Sequence, residues 1–174
     1  MVAIKGGTAL ERRLAELAAK VTKPANLSVG FLADSTYPDG TPTAMVAAIL
    51  EFGAPGAGQK TSAGRASAHG RAAVAEALGL DAGVGIPPRP YFRQTIAEKS
   101  PSWGDAVAAL LASNNFDATK TMAQVGEGIK GQIQQSIANF TSPPLSPKTI
   151  AQKGFDKPLV NTGHLLNSVS YKVD

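Results

Sequence analysis

Apolar residues recur along this chain at two periods, three-to-four and two, and the switches between them divide it into elements. Leu10, Leu14, Leu17 and Val21 return at helical spacing and leave Arg12, Arg13, Glu16 and Lys20 for solvent, while Thr8 and Glu11 have the form of a capping box. The spacing predicts an amphipathic helix over about 8–21, ended by Pro24. Leu27, Val29 and Phe31 then alternate with Ser28, Gly30 and Leu32 as a strand does, before the turn residues Tyr37, Pro38, Asp39 and Gly40. Thr41-Pro42 reads as a cap followed by proline at the first helical position. Met45, Ile49 and Phe52, flanked by Val46 and Leu50, predict a second helix that Gly53 stops, with Glu51 beside the stop.

From Gly53 to Gly85 the composition shifts to Gly, Ala and Ser. Lys60, Arg65, His69 and Arg71 are scattered through it, and no large apolar residue occurs before Val74 and Leu78. This predicts a flexible, insertion-like excursion at about 54–85, with one Ala-rich helix near 71–79. Ile86 to Pro90 is an extended proline segment, followed by a short helix from Tyr91 to Lys99 with Phe92 and Ile96 facing inward. Trp103, Val107, Leu110 and Leu111 mark another short helix up to Asn114 and Asn115. The longest periodic run comes next: Met122, Val125, Ile129, Ile133, Ile137 and Phe140 keep one face over about five turns. Gly126, Gly128 and Gly131 each weaken that helix by up to about 1 kcal/mol relative to Ala, a cost that fits a site where another backbone approaches closely. Either a neighbouring subunit or the protein's own sheet supplies that backbone.

The C-terminal stretch carries dense local signals. Pro147 opens a short helix through Lys148, Thr149, Ile150 and Ala151, and Gly154 stops it. After Lys157-Pro158 come the apolar Leu159 and Val160, then Asn161 or Thr162 as the cap of a short turn from Gly163 to Asn167, and finally a strand on Val169, Tyr171 and Val173. Together these elements predict one α+β domain over 1–174. In it, a small antiparallel sheet with strands near 27–33 and 167–173 packs against the long helix 117–140 and the helix near 8–21, with several shorter helices around it.

Composition narrows the chemistry. No apolar run approaches the roughly 18 residues of a membrane span, so a soluble chain without membrane contact is expected. The N-terminal MVAIKGG is too short an apolar segment for a secretion signal, so synthesis in the cytoplasm is the expectation. With 0 Cys, disulfides and thiolate zinc sites are out, and the 2 histidines, His69 and His164, would need carboxylates such as Asp156 or Glu51 to hold a metal. GAPGAGQKT at 53–61 mixes glycines with Lys60 and Thr61, yet Gln59 separates Gly58 from Lys60 and a helix precedes it where a phosphate loop needs a strand. His164 near Ser168 and Ser170 lacks a nucleophile elbow. No cofactor, metal or catalytic set is therefore predicted, and the expected function is not enzymatic.

The net charge of +4 is mild and permits a nucleic-acid contact without requiring one. Lys60, Arg65 and Arg71 are candidate DNA or channel contacts, against the plainer reading of a solvated loop with no aromatic residue for stacking. In PPRPYFR, Arg89 and Arg93 flank Tyr91 and Phe92, a composition suited to an interface anchor; alternatively Phe92 is core and the arginines cap carbonyls. Asn161, Thr162 and Gly163 are likewise either contact residues or the makings of a tight turn.

PLSPKTIAQKG followed by KPLVNTGHLLNSVSYKV resembles the closing motif of tailed-phage virion-morphogenesis proteins, the neck and tail-completion family, and EFG with IPPRPYFR resembles two further elements of that family. The resemblance spans about residues 27–52 and 86–174; the long excursion departs from the family's shorter connection. It implies a structural virion protein, made in the host cytoplasm, that forms a ring of six or twelve copies at the head–tail junction and meets other neck and tail proteins. A tail terminator capping the tail tube is the alternative within that class, and a non-specific DNA-binding protein on packaged genome ends is the alternative outside it. The expected contact segments are the excursion and the loop 141–160, which includes Pro147 and Lys148.

Overall fold

The alternating run early in the chain and the one that closes it are partners. The computed structural model describes residues 7–21, 25–54 and 85–174, and in it strand β1 (Leu27–Phe31) pairs antiparallel with strand β2 (Val169–Val173). The register sets Leu27 opposite Val173, Val29 opposite Tyr171 and Phe31 opposite Val169. Side chains alternate along a strand, so these six lie on one face and need a cover. Asn26 and Asp174 extend the pairing, with N–H to carbonyl distances of 2.9 and 3.0 Å.

The cover is the helix Ala118–Asn139, which packs on both strands. Asp117 caps it, its carboxylate accepting the Lys120 N–H at 2.9 Å, and Val125, Ile129, Ile133 and Ile137 are buried as their spacing predicts. Gly126 has the close approach expected of one of the three glycines. A Cβ there would stand 2.6 Å from Tyr171 Cδ2 and 2.8 Å from Leu27 Cδ1, so what it admits is side chains of the protein's own sheet, where the sequence led us to expect a backbone. Gly128 and Gly131 meet nothing within 4 Å.

Numbered in chain order, the helices are α1 (Gly7–Val21), α2 (Thr43–Phe52), α3 (Tyr91–Ser113), α4 (the cover), α5 (Pro147–Lys153) and α6 (His164–Asn167). With the two-stranded sheet they make an α+β fold built on one main core, which includes Val46, Leu50, Tyr91, Ile133, Leu159 and Val169. α5 is built as expected, with Ser146 accepting the Thr149 N–H and Gly154 ending it in the left-handed region at φ 77°. α6 starts from Gly163, also left-handed at φ 80°, and the Thr162 hydroxyl accepts the His164 N–H at 3.3 Å.

Four expectations are corrected. The two short helices predicted, one from Tyr91 to Lys99 and one from Trp103 up to Asn114 and Asn115, are one 23-residue helix that runs through Pro101 and is the longest among the described residues. A proline inside a helix costs about 3 kcal/mol; here Ser102 Oγ donates to the Lys99 carbonyl at 2.8 Å, and Trp103 Nε1 donates to Gln132 Oε1 at 3.0 Å, tying the helix to α4 across the break. On the same helix Ile96 points out, at 40 % exposure, because Tyr91 and Thr95 take the inward face. α2 is rolled about its axis: Val46, Ala47, Leu50 and Glu51 are buried and Phe52 is 65 % exposed, and Pro42 rather than Thr41 is its N-cap. Thr41 instead closes a turn on Asp39, donating its N–H at 2.9 Å and its hydroxyl at 2.7 Å.

The fourth correction concerns α1. It does not pack on the sheet; Leu10 and Leu14 are 62 % and 57 % exposed. Thr8 lies inside the helix, whose first described residue is Gly7. A cross-link to the body runs from Arg13 Nη2 to Asn115 Oδ1 at 3.1 Å. The expected Ala-rich helix near 71–79, the flexible character of the excursion, and Lys60, Arg65, His69 and Arg71 fall outside the described residues.

Candidate interaction surfaces

Helix α3 begins Pro-Tyr-Phe-Arg, without a serine, threonine or aspartate to accept its first N–H groups, and Pro90 at its N-cap offers no side-chain bond. The acceptor comes from 41 residues earlier. Glu51, buried at the end of α2, takes the Phe92 N–H at 3.0 Å, the Arg93 N–H at 3.1 Å and Arg93 Nε at 2.8 Å, while Arg93 Nη2 donates to the Glu51 carbonyl at 3.3 Å. A carboxylate at a helix N-terminus is stabilised by the helix dipole and by charge-assisted bonds at once. Sequence reasoning places Glu51 beside a helix stop and among conceivable metal ligands, and misses that it caps α3. The signal for it is the uncapped start of α3, which demands an acceptor from another element.

Around this joint the backbone is pinned as well. Arg89 N–H donates to the Leu50 carbonyl at 2.8 Å, and Ala54 and Ile86 exchange two bonds of 2.8 Å, so the chain leaves the described body and re-enters it at adjacent points. Gly53, at φ 78°, is required there: a Cβ would lie 2.8 Å from the Ile86 carbonyl oxygen and 2.9 Å from Pro88 N.

The four candidates in PPRPYFR therefore divide. Tyr91 is core, and burial together with the Glu51 charge pushes its phenol far up. Phe92 packs on β1, its ring 3.6 Å from where a Gly30 Cβ would be. Arg93 stays more than half exposed and lies over the Phe52 ring, 4.8 Å from its centroid. Arg89 is buried at 2 % exposure, and its Nε and Nη1 have no hydrogen-bond partner among the described residues. Burial lowers its pKa, an unusual environment for a guanidinium. Its side chain does not cap carbonyls through these two nitrogens. Lys153, whose pKa burial and then the Arg89 charge push down, holds the following loop by donating to the Lys157 carbonyl at 2.9 Å and the Val160 carbonyl at 2.6 Å.

That loop leads to a recess of about 520 Å³ lined by Tyr37, Asp39, Asn161, Thr162, His164 and Asn167, among others. The His164 ring lies 4.2 Å from the Tyr37 ring, tilted by 43°, and its Nε2 is 3.4 Å from Thr43 Oγ1, which in turn bonds Ser35 Oγ at 2.9 Å. Thr43 is fully buried, and its hydroxyl faces His164 and Ser35. The chain Ser35–Thr43–His164 serves to lock α6 onto the start of α2. Burial, then the Asp39 charge, push the Tyr37 phenol up to about 12, while the hydroxyl and N–H of Thr41 hold the exposed Asp39 carboxyl below its ordinary value.

The structure thus brings Asn161, Thr162 and His164 to one recess. It places Arg93 at the α2–α3 joint, and Pro147 and Lys148 on the exposed first turn of α5. Lys60, Arg65 and Arg71 lie outside the described residues. Among the described residues no three His, Cys, Asp or Glu side chains cluster as metal ligands, and no helix is long and apolar enough to cross a membrane. No family model, curated protein or solved structure matches the chain.

Proposed function

We propose that this chain is a structural virion protein of a tailed phage, a neck or tail-completion component that assembles as a ring where head and tail meet. The observation that carries the proposal is the place of the resembling blocks in the fold. EFG and PPRPYFR are joined by the Glu51 carboxylate on the α3 N-terminus, and the closing block supplies α6, locked on Thr43, and β2, paired with β1. Blocks far apart in sequence are used as the joints of a single body, as a shared framework requires.

Two further features support a part whose surface is completed by neighbours. Among the described residues, Leu10 and Leu14 of α1 and Phe52 at the end of α2 are more than half exposed. The recess at His164 presents a buried threonine and a ring tilted against Tyr37 in place of an activated nucleophile.

The test is electron microscopy of lysates from a phage carrying a stop codon in this gene. Filled heads beside finished, separate tails are the expected result. Overlong tails would assign the chain to tail termination instead, and intact infectious virions would overturn the structural assignment.

A further inference from the structure

Three stretches far apart in sequence meet at the recess of about 520 Å³: the turn at Tyr37 and Asp39, the loop at Asn161 and Thr162, and α6 with His164 and Asn167. A hollow of this size suits a small molecule or a single inserted side chain.

Its charge is one-sided. Asp39 is the acidic side chain on its wall and no lysine or arginine lines it, in a chain whose formal net charge is +4. Among the described residues Asp39 has no ion-pair partner. Its bonds go to one residue: Thr41 donates its N–H to Oδ1 at 2.9 Å and its hydroxyl to Oδ2 at 2.7 Å. Each carboxylate oxygen therefore keeps a lone pair, and the turn holds the plane in which the two lie. A fixed pair of acceptors matches the parallel N–H groups of a guanidinium better than it matches the point charge of an ammonium group. The Thr41 bonds also hold this exposed carboxyl below its ordinary value, so it stays ionised at neutral pH.

Beside the carboxylate the recess has a flat wall. The half-buried His164 ring lies 4.2 Å from the buried Tyr37 ring, with its Nε2 3.4 Å from Thr43 Oγ1. A guanidinium plane stacks on aromatic rings while its edge bonds a carboxylate.

We infer that this recess receives the guanidinium of an arginine carried by a second polypeptide. The source follows from the rest of the lining. Free arginine brings a carboxylate, for which the recess holds no lysine or arginine, and sets it near Asp39. In a polypeptide that group is an amide, and the exposed Thr162 and Asn167 side chains offer it donors and acceptors. The site does not depend on the phage reading, which stands or falls by the stop-codon lysate.

The sequence has 2 histidines, His69 and His164, so in the full-length protein with His69→Gln the ring C–H resonances of His164 report on the recess alone. Titration with N-acetyl-arginine-methylamide at low salt should move them to saturation. Its citrulline analogue, of the same shape without the charge, should leave them in place, and free arginine should bind more weakly. Asp39→Asn keeps an acceptor for the Thr41 N–H and loses the charge, so its thermal transition should be little changed while affinity falls about tenfold to a hundredfold. The citrulline comparison needs no variant at Asp39 and so holds even if that variant folds poorly. No saturable movement, equal movement with the citrulline analogue, or unchanged affinity in a folded Asp39→Asn protein would each overturn the site. Free arginine binding as tightly as the blocked form would overturn the second polypeptide as its source.

Discussion

Helices α1 and α4 carry the same kind of sequence signal and meet different fates. Both repeat large aliphatic residues every three or four positions, yet Ile133 and Ile137 of α4 are sealed under the sheet while Leu10 and Leu14 of α1 stand in solvent. What separates them is what lies opposite. α4 faces six side chains of β1 and β2 and has Gly126 at the point of closest approach; α1 reaches the body at Arg13, which bonds Asn115, and at its last turn, where Ala19 and Lys20 line a recess with Asp117 and Ala118, while Leu10 and Leu14 stay outside. Periodicity states which side of a helix seeks cover and is silent on who provides it.

The largest effect that sharpens this comparison comes from truncating each stripe. Ile133→Ala should destabilise the folded monomer by about 2–5 kcal/mol, as a cavity in a sealed core does, whereas Leu14→Ala should stay within about 0.5 kcal/mol. Urea unfolding of both variants at low protein concentration checks the pair. A large loss from Leu14→Ala would mean that α1 is covered by its own chain.

Two buried charges offer the next contrast. Glu51 is fully engaged with Phe92, Arg93 and the start of α3, so Glu51→Gln should cost about 1–3 kcal/mol. Arg89 is buried with two orphaned nitrogens, and removing an uncompensated buried charge relieves desolvation, so Arg89→Leu should be neutral or stabilising by about 1–3 kcal/mol. The same unfolding experiment reads both, and a strong destabilisation by Arg89→Leu would show that its guanidinium has an acceptor.

Within α4 the glycines divide by their surroundings. Gly126→Ala forces a methyl against Tyr171 and Leu27 and should cost about 1–3 kcal/mol; Gly128→Ala enters open space and should stabilise by up to about 1 kcal/mol. Equal effects at the two sites, measured by thermal unfolding, would sink the assignment of Gly126 to the sheet contact.

The smallest expected effect appears only in alkali. The Tyr37 phenol is pushed from 10.0 to about 12 in the folded state, so the neutral form is favoured by folding. Its contribution is complete below the unfolded value and is lost as pH rises from 10 towards 12. An ultraviolet difference titration should show this tyrosine ionising well above the ordinary phenol value of 10.0. Tyr37→Phe should flatten part of the decline in stability over that window.

Much of this fold is legible in the sequence, since the strands, the core stripe of α4 and the caps of α5 rest on local chemistry that neighbouring residues dictate. The failures are all matters of distance. Pro101 breaks a helix locally, but the Trp103 indole anchored on Gln132 restores it. The roll of α2 follows from Glu51 turning inward to meet α3, a demand written at residues 92 and 93. The interface candidates divide for the same reason: Arg89 and Tyr91 share a motif with Arg93, and only the packed structure shows which of the three faces outward.

The central claim, that α1 and α4 share a pattern while only α4 has its stripe covered by the body, is tested most directly by hydrogen exchange of their backbone amides in dilute protein. The account predicts fast exchange in α1 and lasting protection in α4. Protection of α1 equal to that of α4 would contradict it.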